Sequence, residues 1–290
     1  MTITRFRDSK LSGTSDMAVC EVCFRHCDIA EGKTGACKAR GCIDGKVVPL
    51  NYGHYTALAL DPIEKKPLSR FFPGSYILSY GSYGCNLFCP FCQNCDISRS
   101  DGSEFEDVIT PEKLAELAGK YKVRGNIGIA FTYNEPMVCP EFIEDTAKLV
   151  KGMGMKNVLV TNGTADLPVL EKLIPYIDAM NVDIKSFSET TYREVLGGDL
   201  NMTRAFIGRA VKDCHVELTM LIVPGMNDTA EEMREVTSWI AGMSDEIPFH
   251  ISRFFPRHKM KDRPPTDVAK IYELADIARE KLKYVYEGNC

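Results

Sequence analysis

The chain has 290 residues, 44% of them hydrophobic, enough for one large core or a main domain with a small appendage. Its net charge of −5 at pH 7 argues against sequence-independent nucleic-acid binding. No apolar stretch approaches transmembrane length, and the opening MTITRFRDSKLSG lacks the apolar core of a secretory signal, so a cytoplasmic protein is expected and its 12 cysteines point to metal or redox use.

Residues 1–45 are polar and turn-rich and carry Cys20, Cys23, Cys27, Cys37 and Cys42. Lys46 to Leu60 reads as a β-hairpin turning near Asn51–Gly53, and residues 61–74, with three prolines, read as a linking segment. The expected division is an N-terminal module over 1–72 and a main domain over 73–290. From there apolar strands alternate with helices. Strands are predicted at Tyr76–Tyr80, Asn126–Phe131, Asn157–Thr161, Ala179–Ile184, His215–Val223 and Pro248–Phe254. Thr110-Pro111 and Thr229 are helix starts, and Thr266–Tyr284 is a closing helix. Six βα units imply an α/β fold with parallel strands and right-handed crossovers. Six are too few for a closed eight-stranded barrel, which leaves a partial barrel or an open sheet. Either places a ligand site at the carboxyl ends of the strands.

After the first of those strands comes Gly84-Cys85-Asn86-Leu87-Phe88-Cys89-Pro90-Phe91-Cys92, spaced C-x3-C-x2-C with aromatic Phe91 before the third cysteine. Three thiolates on one short loop can cap three irons of a cubane and leave the fourth open to a small molecule. The alternative is a zinc site completed by Cys95. Cys20-x2-Cys23-x3-Cys27-x9-Cys37 can hold a second metal, which would supply folding energy to a module with little core. Zinc is the first choice there and an auxiliary iron–sulfur centre the second. Thr161 and Asn162 end the third strand, and Asp183 and Lys185 the fourth; polar groups at strand ends are how such sheets build sites. His250 and Arg253, on the last strand, are further candidates for ligand contact. Asn134-Glu135-Pro136, after the second strand, would serve equally as a helix entry.

The cysteine loop resembles that of the radical S-adenosylmethionine (SAM) superfamily. The longer string GCNLFCPFCQN, with ALDPIEKKPL and PGS upstream, is similar to the AmmeMemoRadiSam-system radical SAM enzymes, relatives of pyruvate formate-lyase-activating enzyme. The resemblance implies a partial (β/α)6 TIM-type barrel and a [4Fe–4S] cluster on Cys85, Cys89 and Cys92. It implies a SAM site that includes Phe91, Asn134 and Glu135, with Asp183 and the catalytic Lys185 facing SAM and substrate. It also implies reductive cleavage of SAM to a 5′-deoxyadenosyl radical, hydrogen abstraction from a substrate such as a glycine of a partner protein, and a flavodoxin or ferredoxin as electron donor. The competing readings are radical chemistry on another substrate, and a non-catalytic metal or electron-carrier scaffold.

Overall fold

The computed structural model describes residues 17–290, so the opening MTITRFRDSKLSG lies outside the described residues. No helix among the described residues is long and apolar enough to cross a membrane.

The N-terminal segment forms two small antiparallel ribbons. Strand β1 (Met17–Val19) pairs with β2 (Asp28–Ala30), and β3 (Arg40–Ile43) with β4 (Lys46–Pro49). The β3–β4 turn is Asp44-Gly45, both with positive φ, 53° and 71°. That is the conformation a two-residue hairpin turn needs, and Asp-Gly is a strong signal for it. This turn corrects the hairpin expected over Lys46–Leu60: Lys46–Pro49 folds back on the segment before it.

The other expected arm, β5 (Ala57–Pro62), joins the main sheet, where it pairs antiparallel with β6 (Tyr76–Gly81). Parallel strands follow in chain order: β7 (Asn126–Thr132), β8 (Lys156–Thr161), β9 (Ala179–Asp183), β10 (His215–Ile222), β11 (Phe249–Arg253) and β12 (Val285–Gly288). The eight strands thus lie side by side in sequence order. This is the arrangement of a (β/α) barrel, with the six expected strands at its centre.

Helix α1 (Cys95–Ser98) closes the cysteine loop. The crossovers carry α2 (Pro111–Lys120), α3 (Pro140–Gly152), α4 (Leu167–Leu173), α5 (Leu200–Ala210), α6 (Ala230–Met243) and α7 (Val268–Arg279). Their starts follow capping chemistry: the Thr110, Thr229 and Asp267 side chains accept from Lys113 N, Glu232 N and Ala269 N.

Strand residues alternate between two cores, as the two-residue period requires. Leu78, Ile129, Phe131, Leu159 and Met180 face the helices. Ile77, Ala130, Val158 and Ala179 face inward, where they meet Ile63, Leu68 and Phe71. The segment read as a linker is therefore a floor packed inside the barrel. It is fastened by polar bonds: Asn181 Nδ2 donates to Pro67 O at 2.8 Å, and Glu217 accepts from Ser69 N and Arg70 N at 2.9 and 2.7 Å. Burial raises the Glu217 carboxyl, but hydrogen bonds from His215, His250 and these two amides more than offset it and hold the group at about 2.

Candidate functional site

Above this floor, a cleft of about 340 Å³ opens among the carboxyl ends of the strands. Its walls include Cys85, Cys89 and Cys92 from the loop after β6, and Asn134 and Glu135 after β7. Thr161 and Asn162 after β8, and Asp183 and Lys185 after β9, complete the set.

The cysteine loop is held in place from several sides. Gly84 has φ of +89°, and a Cβ there would lie 2.7 Å from the Cys37 carbonyl and from Ala39 Cβ, so glycine is required both for conformation and for space. Asn134 Nδ2 donates to the carbonyls of Tyr83 and Gly84 at 3.0 and 3.1 Å, and its Oδ1 accepts from Ser82 N at 3.1 Å. Phe88 N donates to Leu196 O at 2.8 Å, and the guanidinium groups of Arg25 and Arg99 lie 4.2 and 4.3 Å from the Phe88 ring centroid. Asn162 Nδ2 approaches Cys85 Sγ at 3.8 Å.

Cys85, Cys89 and Cys92 are all partly exposed and line the same cleft. Burial pushes the Cys89 thiol up to about 11 against the pull of Lys185. Cys95 does not line the cleft. Its Sγ donates to Asp96 Oδ1 at 3.5 Å, which leaves three cysteines on the cleft wall.

Lys185 Nζ and Asp183 Oδ2 form an ion pair at 2.7 Å beside Cys89. Burial disfavours the ammonium, but Asp183 and the Cys89 sulfur outweigh it, so Lys185 stays cationic. Asn227 braces it from behind: its Nδ2 donates to Lys185 O at 2.9 Å and to Leu221 O at 2.8 Å. Glu135 is buried. Its Oε1 accepts from Thr161 Oγ1 at 2.6 Å and Met137 N at 3.0 Å, and its Oε2 from Asn162 N at 2.7 Å. Burial nevertheless lifts its carboxyl to about 7. Glu135 thus caps the turn Pro136–Val138 and also forms part of the cleft wall.

His250 and Arg253 are not brought to the cleft wall. His250 Nε2 pairs with Glu217 Oε2 at 2.7 Å over the floor, and Arg253 Nε donates to Thr266 O at 2.7 Å. Sequence reasoning missed Lys66 and Tyr133, which do line it. Lys66 Nζ reaches Asp61 Oδ2 at 3.0 Å, and the Tyr133 hydroxyl donates to the same oxygen at 2.7 Å. A lysine in an apparent linker carried no signal; Tyr133 sits beside Asn134 but showed no pattern of its own.

Cys20, Cys23, Cys27 and Cys37 line a second, separate cavity, with Arg25, Arg40 and Asn86 among its other walls. Cys42 stands apart from it, donating to Glu31 Oε2 at 3.4 Å. Among the described residues no three His, Cys, Asp or Glu side chains are gathered as a site for a single metal ion.

Comparison with known proteins agrees with this geometry. Residues 79–240 match the model of the Radical SAM superfamily. An uncharacterized protein of Methanocaldococcus jannaschii is 39% identical over 274 residues, 93% of this chain and 80% of that protein. The pyruvate formate-lyase-activating enzyme of Clostridium pasteurianum is 25% identical over 216 residues, 69% of this chain and 89% of that enzyme. Among solved structures, SuiB of Streptococcus suis bound to S-adenosylmethionine superimposes with a TM-score of 0.58 at 13% identity, over 72% of this chain and 48% of SuiB. With the family model spanning more than half of the chain and its cysteine loop opening on a cleft at the strand ends, this protein belongs to the radical SAM superfamily.

Proposed function

We propose that Cys85, Cys89 and Cys92 hold the [4Fe–4S] cluster that membership of the superfamily implies, and that the adjoining cleft binds SAM. The observation that carries this reading is the sharing of one cleft by three thiols, the Asp183–Lys185 pair and Glu135, with Cys95 turned away. Held by these three cysteines, such a cluster would supply the one-electron reduction by which radical SAM enzymes cleave SAM to methionine and a 5′-deoxyadenosyl radical, the species that would take hydrogen from a substrate.

The residues of the chain orient and shield. Lys185, held cationic by Asp183, offers a fixed positive charge to a carboxylate. Glu135, already receiving three hydrogen bonds, stiffens the wall formed by Thr161 and Asn162 and keeps acceptor capacity toward an ammonium. Phe91 and Leu221 give the cleft apolar surface, which limits water around a reactive carbon centre.

For the substrate we infer a glycine of a partner protein, as in an activating enzyme, and for the electron donor a flavodoxin or ferredoxin. Similarity to pyruvate formate-lyase-activating enzymes supports this reading. Radical chemistry on another substrate is the runner-up. Anaerobic reconstitution with dithionite and SAM should yield 5′-deoxyadenosine by mass spectrometry, and Cys89→Ala should yield none. A glycyl-radical signal on a candidate partner would separate the two substrate readings. Absence of 5′-deoxyadenosine from the cluster-loaded wild type would refute the proposal.

A further inference from the structure

We propose that Cys20, Cys23, Cys27 and Cys37 hold a second iron–sulfur cluster that relays electrons to the cluster of the main cleft; the relay rests on the function proposed above. The four cysteines line one cavity, with Cys20, Cys23 and Cys37 buried. Four cysteine ligands are what a cluster built for electron transfer requires. The fifth cysteine nearby, Cys42, faces Glu31, so the ligand count closes at four.

The position of this cavity argues for a redox role. Asn86 is part of its wall and is peptide-bonded to Cys85. The Asn86 side chain donates from Nδ2 to Thr164 Oγ1 at 2.8 Å. Its Oδ1 accepts from Asn162 Nδ2 at 2.9 Å, and that same nitrogen approaches Cys85 Sγ. The cavity that Cys23 lines thus has a wall residue, Asn86, whose side chain leads through Asn162 to Cys85 Sγ. Beside this path, Gly84 packs on the Cys37 carbonyl. Arg25, also on the cavity wall, donates to Asn86 O at 2.6 Å. One cation between two thiolate-bound centres favours added negative charge on either. Zinc has no accessible redox step and would make no use of such a path.

The relay moves one electron and makes or breaks no bond. A reduced low-potential carrier, a flavodoxin or ferredoxin, loses one electron to the N-terminal cluster, which passes it to the cluster of Cys85, Cys89 and Cys92.

The test uses the full chain, reconstituted anaerobically with iron and sulfide. The triple variant Cys85→Ala/Cys89→Ala/Cys92→Ala should retain about four irons per chain and, after dithionite, give an electron paramagnetic resonance signal that SAM leaves unchanged. The double variant Cys23→Ser/Cys37→Ser should lose that signal and keep the SAM-sensitive one. Its SAM cleavage should fall at least tenfold with reduced flavodoxin but less than threefold with dithionite, which reduces the cleft cluster directly. Zinc without iron in the triple variant would overturn the proposal, as would an equal fall with both reductants. The triple-variant readout holds even if the double variant fails to fold. A wild type that cleaves no SAM with dithionite while the triple variant keeps its iron would overturn the proposed function and the relay, but not the second cluster.

Discussion

Glu217→Gln isolates the bond set that closes the barrel floor. The carboxylate is fully buried and receives Ser69 N, Arg70 N, His215 Nε2 and His250 Nε2 at 2.9, 2.7, 2.9 and 2.7 Å. Holding it at about 2 against the usual 4.5, at about 1.4 kcal/mol per pH unit, is worth about 3 kcal/mol to the fold. The amide keeps the shape but turns an NH2 toward groups that themselves donate. The expected loss is therefore about 3 kcal/mol, or roughly 6 °C in melting temperature for a chain of this size. The sign with pH follows from a carboxyl lowered in the fold. Its contribution is complete above about 4.5 and drains away as pH falls toward about 2, so the gap between wild type and variant stays level from pH 8 to 5 and narrows in acid. Anaerobic scanning calorimetry at pH 7 and chemical unfolding at pH 4 measure both parts. A variant melting within 1 °C of wild type, or a gap that widens in acid, would refute the reasoning.

Lys185→Met removes the fixed cation beside Cys89 while Asn227 still braces the backbone. 5′-Deoxyadenosine formation should fall on the order of 100-fold while the iron content of the chain is unchanged, as quantitative mass spectrometry and iron analysis can establish. Gly128→Ala places a Cβ 1.8 Å from the Lys156 carbonyl, in the parallel pair of β7 and β8. That contact is with backbone and cannot relax, so the variant should accumulate as insoluble protein, read as its soluble fraction on expression.

The six central strands were legible because each is a short apolar run, rich in β-branched residues, between turn or capping residues. Strand β12, Val285–Gly288, was not: it follows its helix closely and reads as a charged tail. The floor was hidden because prolines and lysines signal a loop, and nothing local says that Ile63, Leu68 and Phe71 will be enclosed. In the cleft, cysteine spacing and polar strand ends picked out residues that do meet. His250 shows the limit of that logic. It lies in register with the cleft residue Thr219, yet its ring pairs downward with Glu217, a choice set by a partner 33 positions away. Glu217 itself is a lone acid within an apolar strand, and no spacing links it to the amides it binds.

The floor also has a temporal meaning. Ser69 and Glu217 are 148 residues apart, so the segment that seals the barrel is synthesised long before its anchor. Closing so long a loop carries an entropy cost that only the assembled C-terminal strands can repay. Until β8 and β9 have followed, Ile63, Leu68 and Phe71 lack part of their enclosure, which leaves the emerging chain with a greasy, unsheathed segment. The floor's last fastening thus waits on a strand made well after the floor itself.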